Sequence, residues 1–178
     1  TINAVIGDVG VVPTSLDFSG GSGSTTTLAG ASNYTGPTTI GASCTVNVSN
    51  SSGLGAASSG TTILAGGTLN ISATSSEPLN IAGGTVSVSA PVSGAIPLSS
   101  GIFRIAAGGS VAPGAVTMTD GTLSLATDVN PVSPLSPAST GGILAIDTGN
   151  ATPFTAGGTN AIDFSTLPGS SSLRLGAT

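Results

Sequence analysis

Residues 38–49 read TTIGASCTVNVS and residues 61–72 read TTILAGGTLNIS, with seven of the twelve positions identical. A chain that repeats a short unit of alternating apolar residues gains stability by stacking one unit on the next, because no single unit can bury its own apolar face. Looser copies follow at LNIAGGTVSVS (79–89), FRIAAGGSVA (103–112), VTMTDGTLSLA (116–126), TGGILAID (140–147) and TAGGTNAIDF (155–164). In each, apolar residues alternate up to a Gly-Gly or Asp-Gly step, and alternation resumes after it.

Alternate residues of a strand point to opposite faces. Val46 and Val48, Leu69 and Ile71, Val86 and Val88, and Leu123 and Leu125 therefore face a core, while Ser, Thr and Asn face water. Helix has little support, because β-branched residues and Gly dominate and Glu, Lys and Gln are almost missing. The class is all-β. If the Gly-Gly steps are hairpin turns, the result is an antiparallel β-sandwich. If they are corners, each unit stacks on the next in a parallel β-helix of about eight coils, a rod on the order of 40 Å long at ~4.8 Å per coil. The second Gly of the step recurs at 67, 84, 109, 121, 142 and 158. Repetition of the same residue types at the corners favours the solenoid, where each position meets its counterpart one coil away. On this reading Asn47 and Asn70 form a stacked amide row, and the Asn-x-Ser/Thr triplets at Asn33, Asn47, Asn50, Asn70 and Asn150 reflect composition rather than glycosylation.

The 178 residues form a single segment, 1–178. Residues 1–24 read as an irregular lead-in, 49–60 as a small polar loop, and 130–140, with three prolines, as a projecting loop. Only 5% of residues are charged, against about 25% in an average protein. With 38% hydrophobic residues the chain is not a disordered one. Arg104 and Arg174 are the only cations, so phosphate-based nucleic-acid binding has no electrostatic footing. No apolar run reaches the roughly 18–20 residues of a membrane helix, so direct membrane insertion of this segment is not expected. A lone Cys44 forms no intramolecular disulfide.

The stretch TTTLAGASNYTGPTTIGASCTVNVSNSSGLG (25–55) resembles the passenger-associated repeat of bacterial autotransporters, through Leu28, Gly30, Ala31, Asn33, Tyr34, Thr35, Gly36, Thr38, Thr39 and Ile40. Pro37 stands where the family has a second glycine. The resemblance implies a right-handed β-helix exported with the help of a C-terminal barrel, and a repeat that serves export and folding rather than chemistry. The chain then reads as part of a longer passenger.

Without His, acid–base chemistry falls to carboxylates, Tyr or Cys. Asp147 and Asp163 are the pair to consider for a glycosidase-like site, although both sit where an Asp on a wet strand or turn is ordinary. Asp120 suits an Asp-Gly corner, and Glu77, before Pro78, reads as solvated. Cys44 has no His to activate it. GGSGSTTT and AGGTNAID lack the spacing of calcium-binding β-rolls. No catalytic, cofactor or metal residue is expected, and Tyr34, Phe18, Phe103, Phe154 and Phe164 are assigned to packing. The expected function is a structural stalk, extracellular on a bacterial surface, with loops that display a host- or neighbour-binding ligand site. The alternatives are a fibre subunit that self-associates end to end, a carbohydrate-active β-helix enzyme and an ice-binding solenoid. The last ranks lowest because a regular Thr-x-Thr ladder on one flat face is missing.

Overall fold

The computed structural model describes residues 1–20, 23–112 and 114–125, together with the backbone of the strands at 138–139, 143–147 and 172–176. In chain order the strands are β1 (Leu16–Phe18), β2 (Ser24–Leu28), β3 (Thr38–Ile40), β4 (Cys44–Val48) and β5 (Thr61–Leu64). They continue with β6 (Thr68–Ile71), β7 (Leu79–Val88), β8 (Pro91–Val92), β9 (Ile96–Ile105) and β10 (Ser110–Val111). The last are β11 (Val116–Met118), β12 (Thr122–Leu125), β13 (Ala138–Ser139), β14 (Ile143–Asp147) and β15 (Ser172–Gly176). No helix occurs among the described residues.

Every pair of these strands runs parallel, and each strand pairs with the equivalent strand one coil on. The Gly-Gly steps are therefore corners, and the antiparallel sandwich is excluded. One face of the solenoid stacks β1, β3, β5, the first half of β7, the first half of β9, β11 and β13. The next stacks β2, β4, β6, the second half of β7, the second half of β9, β12, β14 and β15. A short third side is built from Ser75, β8 and β10.

Register explains the core. On the first face Phe18, Ile40, Ile63, Ile81, Leu98 and Met118 stand in one column. On the second, Val46, Leu69, Val86, Phe103 and Leu123 form one column, and Val48, Ile71, Val88, Ile105 and Leu125 another. Apart from the half-buried Phe18 at the first rung, all of these side chains are buried. Each contributes roughly 1.5–3 kcal/mol of apolar burial. The sequence carries both second-face columns onward at Leu144 and Leu173, and at Ile146 and Leu175, which hold the corresponding backbone positions.

The corner between the two faces shows why glycine recurs. A Cβ on Gly67 would lie 2.6 Å from the Ile40 carbonyl oxygen, and one on Gly84 would lie 2.6 Å from that of Leu64. At Gly101 it would strike the Gly84 carbonyl, and Gly101 also holds φ +89, a left-handed conformation that L side chains rarely adopt. Gly121 stacks in turn on Gly101. Close backbone approach, repeated coil after coil, fixes the residue type.

Four expectations need correction. Gly109 does not belong to this corner: it lies between β9 and β10, at the turn into the third side, and Gly101 takes its place in the stack. Residues 1–24 are irregular only in part: 3–15 carry no strand, but β1 pairs with β3 and Ile2 bridges Leu28 in parallel. The solenoid makes about five turns from β2 to β12, against about eight coils expected of the whole chain, and coil length is uneven: Thr38 pairs with Thr61, 23 residues on, but Thr68 with Thr85, 17 on. The end of the expected 130–140 loop is strand, with Ala138 and Ser139 paired to Thr117 and Met118. The rest of that loop lies outside the described residues, as do Asn150, Phe154, Phe164 and Gly158.

Candidate functional site

Two features rise above the general plan of apolar core and hydroxyl-rich exterior. The first is a run of outward-facing polar residues on the second face. Thr25, Thr45, Thr68 and Thr85 occupy one register row, which passes through Ile102 to Thr122. Two residues along each strand lies a second row: Thr27, Asn47, Asn70, Ser87, Arg104 and Ser124. The Asn70 Nδ2 donates to the Asn47 Oδ1 at 2.8 Å, so the stacked amide row read from the repeat is present. A regular Thr-x-Thr ladder is absent, as expected: the second row holds Asn47, Asn70, Ser87 and Arg104, so threonine stands on both rows only in β2, at Thr25 and Thr27. Rungs spaced ~4.8 Å apart, with side chains two residues apart along each strand, make a regular, nearly neutral surface up to Arg104.

The second feature is buried. Glu77 is not solvated: it is only 4% exposed. The reason lies 16 and more residues away in sequence. Thr61, on the first face, donates its hydroxyl to the Glu77 Oε1 at 3.1 Å, and the Glu77 backbone N–H donates to the Ser75 hydroxyl at 3.2 Å. The loop 49–60 forms the opposite wall. Among the described residues the Glu77 Oε2 is the one buried side-chain oxygen or nitrogen with no hydrogen-bond partner. Glu77 also lines a small cavity of about 90 Å³, together with Ser51, Ser52, Gly55, Ser75 and Ser76 among others. Loss of water raises the Glu77 carboxyl to about 7, opposed by the Thr61 hydrogen bond.

Tyr34 lies in the same region, fully buried, with its hydroxyl 2.7 Å from the Thr38 Oγ1. Thr38 and Thr61 are register partners, so the Tyr34–Thr38 and Thr61–Glu77 pairs occupy successive coils. Burial is the main influence that raises the Tyr34 phenol; the Thr38 hydrogen bond opposes it and the nearby Glu77 charge adds to it. Loop 49–60 packs over this tyrosine: a Cβ on Gly55 would lie 2.9 Å from the Tyr34 ring. The loop is polar at its tips, yet Leu54 enters the core at 3% exposure.

The remaining candidates separate. Cys44 is buried, accepts a hydrogen bond from the Ser24 hydroxyl at 3.2 Å and donates to the Gly20 carbonyl at 3.4 Å. Its place is structural, at the start of β4. Asp120 makes the turn expected of it, accepting from the Gly121 N–H at 2.7 Å. Asp8 fastens the first residues to the coil above. Its carboxylate accepts from the Thr35 hydroxyl at 2.6 Å, the Thr35 N–H at 3.0 Å and the Thr14 N–H at 2.7 Å, and these bonds, the Thr35 hydroxyl foremost, lower its pKa. The side chains of Asp128, Asp147 and Asp163 lie outside the described residues. A larger cleft of about 240 Å³ on the third side, between Thr74, Pro91, Val92, Ser110 and Val111, carries no titratable group in its lining. Among the described residues no three His, Cys, Asp or Glu side chains are grouped to hold a metal.

No family model, no curated protein and no solved structure matches this chain.

Proposed function

We propose that this chain is a structural segment, a stiff spacer within an exported bacterial surface protein of the autotransporter passenger kind. The observation that carries the reading is the continuity of the second face. Three register columns, two of buried apolar residues and one containing the Asn47–Asn70 row, run unbroken from β4 to β12. Each coil is held by its neighbours, so length is added without a new core, and the product is a rod that resists bending. The near-neutral, hydroxyl-rich exterior suits an extended segment that must unfold, cross a membrane and refold by stacking. Adhesion, in this reading, belongs to loops or to other parts of the full protein. The test is surface accessibility. On intact cells that express the complete natural gene, protease or antibody reaches the segment, and a membrane barrel is encoded in the same reading frame. Confinement of the segment to the cytoplasm overturns the proposal.

The Thr25–Thr45–Thr68–Thr85 row favours a second reading, in which the second face binds an ordered, repeating surface such as ice. Regular hydroxyls on a stiff sheet lose little entropy on meeting a regular lattice. Thermal hysteresis measured on the purified chain, and abolished by Thr68→Tyr at the centre of the row, supports this reading. A freezing point equal to the melting point removes it.

A further inference from the structure

We propose that Glu77 and the cavity beside it form a binding site for one monovalent cation. Glu77 is 4% exposed and its Oε1 has a single side-chain donor in Thr61, while Oε2 has none. A buried carboxylate oxygen without a partner is strongly unfavourable when ionised, so its charge must be cancelled by a proton or by a cation. The pocket lining contains no Lys, Arg or His. The chain has only two cationic side chains, Arg104 on the second-face row and Arg174 in β15, and neither lines the pocket. A counter-charge therefore has to come from solution.

The cavity is suited to one. Its volume of about 90 Å³ exceeds the ~10–15 Å³ needed for a single water, leaving room for an ion with part of its hydration shell. Its walls bring serine residues from two successive coils: Ser51 and Ser52 from loop 49–60, and Ser75 and Ser76 from the turn before Glu77. Hydroxyl and carbonyl oxygens are hard neutral ligands, the type that alkali and alkaline-earth ions take. Charge then selects between those two classes. One carboxylate neutralises a +1 ion, whereas Ca²⁺ or Mg²⁺ would leave a net positive charge in a site whose lining holds no second acid. The cation would cross-link loop 49–60 to the following coil, closing the solenoid where the repeat is least regular. Tyr34 is the titratable neighbour that senses the Glu77 charge, and its phenol stays neutral throughout the range tested.

Urea unfolding of the full chain at pH 8 tests the site, in NaCl, KCl or NH4Cl against N-methylglucamine chloride at equal ionic strength. A small cation at about ten times its dissociation constant raises the folded-to-unfolded ratio roughly elevenfold. The gain saturates with concentration, disappears at pH 5 where Glu77 holds its proton, and is missing in Glu77→Gln. Sodium NMR line widths on the wild-type protein give a second readout that needs no variant: broadening appears at pH 8 and vanishes at pH 5. Equal stability in all four salts, an equal gain in Glu77→Gln, or a gain with CaCl2 and none with the monovalent salts each overturns the assignment.

Discussion

Replacement of Glu77 by Gln changes how the stability of this protein depends on pH. The Glu77 carboxyl is raised from an ordinary 4.5 to about 7 by burial. The folded chain therefore holds a proton that the unfolded chain releases in between. The sign follows from linkage: the contribution is fully present below about pH 4.5, is lost as pH rises toward 7, and stays lost above it. At about 1.36 kcal/mol for each pH unit between the two values, the full difference is at most about 3.4 kcal/mol, and water entering the adjacent cavity lowers this to about 2. With a urea slope of about 2 kcal/mol/M, the wild-type midpoint falls by about 1 M between pH 4.5 and 7.5. The measurement belongs in N-methylglucamine buffer, so that no small cation competes with the proton. Tyr34 supplies the signal, as the chain has one Tyr and no Trp, and that Tyr is buried in the same region. Glu77→Gln keeps an acceptor for Thr61 and removes the charge, so its midpoint stays level across the window and exceeds wild type above pH 7. Asp8, whose pKa is lowered, gives the opposite slope, confined to pH below about 4. A wild-type midpoint that is flat or rising from pH 4.5 to 7, or a variant that falls in parallel, refutes the reasoning.

Further substitutions probe the stack. Gly101→Ala sets a methyl against the Gly84 carbonyl at φ +89 and costs about 4 kcal/mol from strain and overpacking combined. Gly114→Ala, at φ +70 with nothing within 4 Å of the new atom, costs only ~1 kcal/mol of backbone strain; chemical denaturation compares the two. Ser43 stands at φ 63 where the next coil has Gly66 at φ 77, so Ser43→Gly stabilises by up to about 1 kcal/mol, the relieved strain less the added chain entropy. Asn70→Ala, which removes the 2.8 Å bond to Asn47, costs ~1 kcal/mol, whereas its buried neighbour Leu69→Ala costs about 2–5 kcal/mol. Reversal of that order in urea midpoints would mean that the outer row, not the apolar column, holds the coils together.

The period-two alternation makes the inward residues legible, because it depends only on strand geometry. Val46, Leu69, Val86 and Leu123 are buried as the pattern requires. The repeated TTI locates the coil-to-coil register between β3 and β5 directly, and the shared Asn that between β4 and β6. What alternation lacks is the length of each coil. For that reason the pattern aligns Gly109 with the wrong corner. Glu77 is hidden for a different reason. Its neighbours Ser75, Ser76 and Pro78 look like a solvated turn, and its burial is imposed by Thr61 and the loop at 49–60, contacts that no local window contains. The polar composition of that loop points to the surface, although Leu54 within it reaches the core. The one signal in the sequence is chemical: the only Glu in the chain lies in a sequence otherwise almost free of charge.

Distances between spin labels along the outer threonine row test the parallel stack most directly. With Cys44→Ser as background, paired cysteines at Thr25 and Thr85 span three rungs, and those at Thr25 and Thr122 span five. At ~4.8 Å per rung the backbone separations are about 14 and 24 Å, so pulsed electron resonance gives the 25–122 pair the longer distance by about 10 Å. A 25–122 distance equal to or shorter than the 25–85 distance would contradict a solenoid that advances one rung per coil.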